Sequence, residues 1–173
     1  MKKWITLLFV LTLFIGCGDN DEEDFDPTRL DIVTGLNLKD NFGQAAGRWG
    51  NPNVTVPTSV VAYPNPVRDA LTVRATTGIQ NIWIVNGLPS RNFPDTNFTQ
   101  VFADNPFQQS SIEAVASRSF DNLNGNNIAI NLEGISQGYY RLYVQLQNGS
   151  IISDNIYITQ TGNPDLEGIN FWE

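Results

Sequence analysis

The chain has 173 residues, 41% of them hydrophobic, with a formal net charge of −8 and no histidine. A basic face for nucleic acid is excluded by that balance. The missing imidazole excludes Ser-His-Asp and Cys-His catalysis as well as histidine metal sites.

The first elements are a leader and a lone thiol. Met1-Lys2-Lys3 precedes an apolar stretch from Trp4 to Ile15, which ends at Gly16-Cys17. A basic head, a short apolar core and a small residue before the break read as a secretion signal. A membrane span needs roughly 20 apolar residues. Cys17 is the chain's one cysteine, so the fold holds no disulfide. Phe14-Ile15-Gly16-Cys17 resembles the lipobox of bacterial lipoproteins, although Phe14 stands where leucine is usual. The resemblance implies cleavage of residues 1–16 and a covalent lipid on Cys17, which leaves 157 of the 173 residues. No other cofactor is expected.

Six acids fall between residues 19 and 26: Asp19, Asp21, Glu22, Glu23, Asp24 and Asp26. On charge alone this is a solvated, disordered tether over residues 17–27. It lacks the spacing of a calcium loop. Gly18-Asp19-Asn20-Asp21-Glu22-Glu23-Asp24 also resembles the surface-export signal of Bacteroidota-type lipoproteins. That likeness implies an outer-membrane protein, lipid-anchored and facing the cell exterior.

The remainder predicts an all-β fold. N-terminal strands at 30–33 and 53–56 fill residues 28–59. Strands follow at 70–75 and 81–85, the latter closed by the tight-turn pair Asn86-Gly87. Further strands are expected at 127–132, 139–146 and 151–159, the last two joined as a hairpin through Asn148-Gly149. One helix is expected, over 110–117, with Ser110 and Glu113 as a capping box. Residues 89–121 read as an insertion whose phenylalanines (Phe93, Phe98, Phe102, Phe107 and Phe120) are mostly core. About seven short strands linked by Pro, Gly and Asn suggest a β-sandwich.

Two motifs carry a second resemblance. Tyr63-Pro64-Asn65-Pro66, followed by the alternating 70–75 strand, and Gly138-Tyr139-Tyr140-Arg141 with its hairpin, resemble the C-terminal sorting domain of type IX secretion substrates. The likeness covers residues 60–160 and implies an immunoglobulin-like sandwich of about seven strands. The lipobox, and the 14 residues after Thr159, depart from that family. Pro64 and Pro66 suggest an extended edge without ladder contacts, Asn65 a local side-chain turn, and Gly138 a turn or bulge.

No catalytic or metal-binding residue is singled out, because the acids of the globular part sit in turn contexts. The tail, residues 161–173, carries Leu166, Ile169, Phe171 and Trp172. With Trp49 these are the candidate partner-binding residues. The expected role is a non-enzymatic accessory or structural subunit of an outer-membrane complex, with an integral outer-membrane protein as partner. The alternatives are a glycan-binding module presenting Trp49, Trp83 and Trp172, and a type IX secretion substrate.

Overall fold

The computed structural model describes residues 26–55 and 59–160. Its elements run β1 (Ile32–Val33), β2 (Gly35–Lys39), β3 (Ala45–Gly50), β4 (Val60–Tyr63), β5 (Ala70–Asn86), β6 (Leu88–Pro89), α1 (Phe98–Asp104), α2 (Gln109–Val115), β7 (Ala116–Phe120), β8 (Gly125–Asn131), β9 (Gly138–Leu146) and β10 (Ile151–Ile158). The framework is all-β, as the residue patterns predict.

β5 organises it. At 17 residues it is about three times the usual strand length, and it changes neighbours part-way. Its first half pairs antiparallel with β4 and β8, and its second half with β9 and β7. β10 extends the sheet beyond β9. The two expected strands at 70–75 and 81–85 are therefore one. Thr76-Thr77-Gly78 reads as a break, yet its backbone stays paired: Thr76 N–H donates to Ser59 (2.9 Å) and Gly78 accepts from Gln147 (2.8 Å). A bend with satisfied hydrogen bonds needs no strand end.

The sheet curls. Val67 N–H donates to Tyr157 at 2.9 Å and Thr159 N–H to Val67 at 2.8 Å, joining the chain after β4 to the end of β10. Alternate residues of β5, β9 and β10 point inward: Leu71, Val73, Ile82, Ile84, Leu142, Val144 and Ile156 form one core. The opposite face is covered too. Trp83, Val85 and Tyr143 pack with Ile112 of α2. Val33 and Leu36 pack on Tyr157. This two-sided burial explains why β9 is a nearly unbroken apolar and aromatic run.

Several local expectations are corrected. Asn86-Gly87 is not a hairpin turn; the chain continues into β6, which pairs parallel with β1. Gly87 fits a slot in which a Cβ would lie 2.7 Å from the Tyr139 carbonyl. The first strand is only Ile32–Val33. Residues 53–55 form no strand, because Asn53 is consumed by side-chain bonds, and residue 56 lies outside the described residues. The expected helix spans Gln109–Val115 and has no side-chain cap from Gln108. A second helix, α1, was not expected; it is capped by Asn97 Oδ1, which accepts from the Gln100 N–H at 3.3 Å. The phenylalanines are packed as predicted. Phe93, Phe98, Phe102, Phe107 and Tyr143 form a ladder of rings with successive centroids 6.1, 5.8, 5.0 and 5.1 Å apart.

Candidate functional site

Cys17, the acidic run Asp19, Asp21, Glu22, Glu23 and Asp24, and the tail residues Leu166, Ile169, Phe171 and Trp172 lie outside the described residues. The remaining sequence candidates gather where the N-terminal segment lies across β10.

Asn65 is the hub of the Tyr63-Pro64-Asn65-Pro66 motif. The segment is not a ladder-free edge. Asn65 exchanges backbone hydrogen bonds with Lys39 at 3.0 and 2.9 Å, so Pro64 and Pro66 occupy the positions between paired residues. The Asn65 side chain is buried and makes no local turn. Its amide donates to the carbonyls of Asn37 (2.7 Å) and Asn155 (2.9 Å), and its oxygen accepts from the Tyr157 N–H at 3.0 Å. Two distant segments, β2 and β10, are thereby tied to one side chain. Tyr63 lies under the Arg74 guanidinium, 5.4 Å from the ring centroid. Gly138 opens β9 opposite Ile158. Tyr139 stacks edge-on with Tyr157 at 4.9 Å, and burial, helped by Tyr157, pushes its hydroxyl up to about 12.

A polar seam runs beside this hub. Asn53 accepts from the Thr34 N–H (3.1 Å) and donates to Ile32 (2.8 Å). Asn155 donates to Gly35 and to Asn53 Oδ1, both at 2.8 Å. At its centre is Arg141, fully buried. The guanidinium donates to the carbonyls of Arg29 and Asn53, each at 3.0 Å, and to Ser153 Oγ at 3.1 Å. It lies 5.1 to 5.5 Å from the ring centroids of Tyr143, Phe102 and Phe107. No carboxylate among the described residues ion-pairs with it. Burial therefore lowers its pKa, against the weaker pull of Tyr143, Asp31 and Asp154. Buried charges usually need an ionic partner; here carbonyl dipoles and aromatic faces replace it. Arg141 Nε and Asn155 Oδ1 are left without a hydrogen bond.

The β2–β3 hairpin stands over β10 and leaves a cavity of about 350 Å³ lined by Leu38, Val54, Val60, Val144 and Ile152, with the Lys39–Asp154 ion pair beside it. Trp49 of β3 is half-buried and packs against the Val33–Leu36–Tyr157 cluster. Trp83 cannot present a ring to a sugar, because it is 1% exposed. The sequence reading missed the bonding role of Asn65 and the whole of Arg141. A lone cation within Gly138-Tyr139-Tyr140-Arg141-Leu142-Tyr143 was the available signal.

No family model matches the chain, and no curated protein is similar to it. Among solved structures, the soluble domain of PmoD from Methylocystis sp. (Rockwell) is similar with a TM-score of 0.37 at 7% identity, covering 61% of this chain and 96% of that domain. A likeness of that size carries no argument about fold or function.

Proposed function

We propose that the protein is a non-enzymatic, surface-exposed outer-membrane lipoprotein that serves as an accessory or structural subunit of an outer-membrane protein complex. The observation that carries this reading is Cys17, the chain's one thiol, placed directly behind a short basic and apolar leader. A single acyl chain anchors only marginally, whereas two or more hold a protein stably on a bilayer. The acidic run from Asp19 to Asp26 supports display on the outer leaflet. We read the curled sheet as an immunoglobulin-like sandwich, on the support of β5 serving different neighbours in its two halves and of the Asn65 hub joining its edges. A domain tied together in this way suits a rigid spacer or scaffold.

Protease shaving of intact cells tests the reading. The wild-type domain should be removed. Alanine at Asp21, Glu22, Glu23 and Asp24 should protect it while leaving its melting temperature unchanged. Cross-linking on intact cells should yield one integral outer-membrane protein in fixed stoichiometry. Unchanged accessibility would reduce the acidic run to a spacer, and the absence of a stoichiometric partner would contradict the subunit role.

A further inference from the structure

The cavity between the β2–β3 hairpin and β10, about 350 Å³, reaches the main core. Val60, Val144 and Ile152 line it, and all three belong to the central apolar cluster. Leu38 and Val54 extend the apolar wall. Protein interiors hold few voids larger than a water molecule, and small-molecule sites begin at roughly 300 Å³. The space is of ligand size, and an apolar group seated in it would continue the core.

The backbone builds this space. The β2–β3 ladder slips register between Leu38 and Lys39, so that Leu38 faces Gly47 and Lys39 faces Ala45. A bulge of this kind bends a strand and re-aims its side chains. All four residues line the cavity. Gly47 sits at φ +139°, and a Cβ there would lie 3.5 Å from Leu38 Cδ1; glycine takes that conformation without strain. Both rims are fixed. Lys39 exchanges backbone hydrogen bonds with Asn65 at 2.9 and 3.0 Å, and the Thr55 N–H donates to the Ser153 carbonyl at 3.1 Å. The cavity is thus formed without a ligand to hold it open.

Its polar end is of a particular kind. Lys39 and Asp154 form an ion pair there, each side chain 14% exposed. Asp154 Oδ1 also accepts from the Asn155 N–H at 2.9 Å. An ammonium has three donors and a carboxylate about four acceptor sites, more than these contacts use. The pair carries no net charge. An anionic head group would meet Asp154 as well as Lys39, and a cationic one would meet the reverse. A neutral hydroxyl can accept from Lys39 and donate to Asp154 at once.

We propose that this cavity binds a neutral amphiphile, an aliphatic alcohol whose chain lies among Leu38, Val54, Val144 and Ile152 and whose hydroxyl meets the Lys39–Asp154 pair. An apolar cavity of about 150 Å³ holds benzene, so the volume here suits a ligand of roughly nine to twelve non-hydrogen atoms. The inference does not depend on the lipid anchor or on membership of a complex.

Amide-shift titration of the isotope-labelled full chain with n-octanol tests it, with octanoate and octylammonium as charged comparators and n-hexanol as a shorter one. n-Octanol should bind saturably and shift the amides of Leu38, Val144 and Ile152. n-Hexanol should bind about fifteenfold more weakly, at about fourfold per buried methylene. Octanoate and octylammonium should each bind about tenfold more weakly or worse, since each sets a like charge against one member of the pair. Asp154→Asn keeps an oxygen for the Asn155 N–H and removes the anion, so octanoate should overtake n-octanol on that variant. If the variant melts too low to be titrated, the ranking of probes on the wild-type chain decides. The proposal is overturned if n-octanol does not saturate, if it shifts amides elsewhere in the fold instead, or if octanoate or octylammonium binds the wild type as tightly. An Asp154→Asn chain that still prefers n-octanol overturns it as well.

Discussion

The side-chain amide of Asn65 donates to the backbone carbonyl of Asn155 at 2.9 Å, across 90 positions of sequence. The same side chain bonds Asn37 of β2 and the Tyr157 N–H of β10. It thus closes the sheet's edge and seats the N-terminal hairpin in one interaction set. Asn65→Ala should orphan the buried Asn155 carbonyl, the part-buried Asn37 carbonyl and the buried Tyr157 N–H. At about 1 kcal/mol or more for each group, the loss is about 3 kcal/mol, or about 10 °C in melting temperature. Asn65→Asp keeps the acceptor, places an anion among carbonyls and should be worse than Ala. A melting temperature within 2 °C of wild type for Ala, well inside the shift of about 10 °C, would refute the hub.

Arg141 gives a two-variant test. Arg141→Ala removes three hydrogen bonds and leaves a void among Tyr143, Phe102 and Phe107, for an expected cost of about 3 to 5 kcal/mol. Arg141→Met fills much of the volume and preserves contact with the rings, so it should cost about half as much. Chemical denaturation measures both. Equal losses would show that the charge and its carbonyl bonds, rather than packing, dominate.

Gly35 is fixed by close approach. A Cβ there would lie 2.4 Å from the Trp49 carbonyl oxygen and 2.7 Å from the Pro52 nitrogen, both backbone atoms that cannot swing away. Gly35→Ala should therefore separate the β2–β3 hairpin locally and cost about 2 kcal/mol. Amide exchange should rise first in β2 and β3. Unchanged protection there would contradict the packing.

Alkaline pH should destabilise the fold. Burial pushes the hydroxyls of Tyr139 and Tyr143 up to about 12, while an unfolded tyrosine ionises near 10. Between those values the unfolded chain binds fewer protons than the folded one, so stability falls as pH rises. The contribution is complete below pH ~10 and lost by about 12. Tyr143→Phe should flatten part of this slope, at the cost of the hydrogen bond to Leu30 (2.7 Å). Melting temperature against pH reads it, and an identical slope in the variant would exclude Tyr143 as a source.

The strand content and the β9–β10 hairpin were legible because alternation and turn chemistry act over a few residues. The joining of 70–75 to 81–85 was not, because whether Thr76-Thr77-Gly78 ends a strand depends on Ser59 and Gln147, distant partners that supply the backbone bonds. Asn65 read as a turn former, and Asn53 as the start of a strand, for the same reason: an asparagine looks alike in sequence whether its amide bonds locally or across the fold. Trp49 stands out in the sequence as a partner-binding candidate. The structure turns Trp49 toward Tyr157 and leaves Arg48 on the surface, a choice set by strand alternation once β3 was paired.

The intact mass and N-terminal sequence of the protein extracted from outer membranes decide whether Cys17 carries the lipid. The chain should begin at Cys17 and be heavier than residues 17–173 by its acyl groups, with Cys17→Ala giving neither cleavage there nor added mass. A chain that keeps residues 1–16, or one cut elsewhere with an unmodified thiol, would contradict this reading.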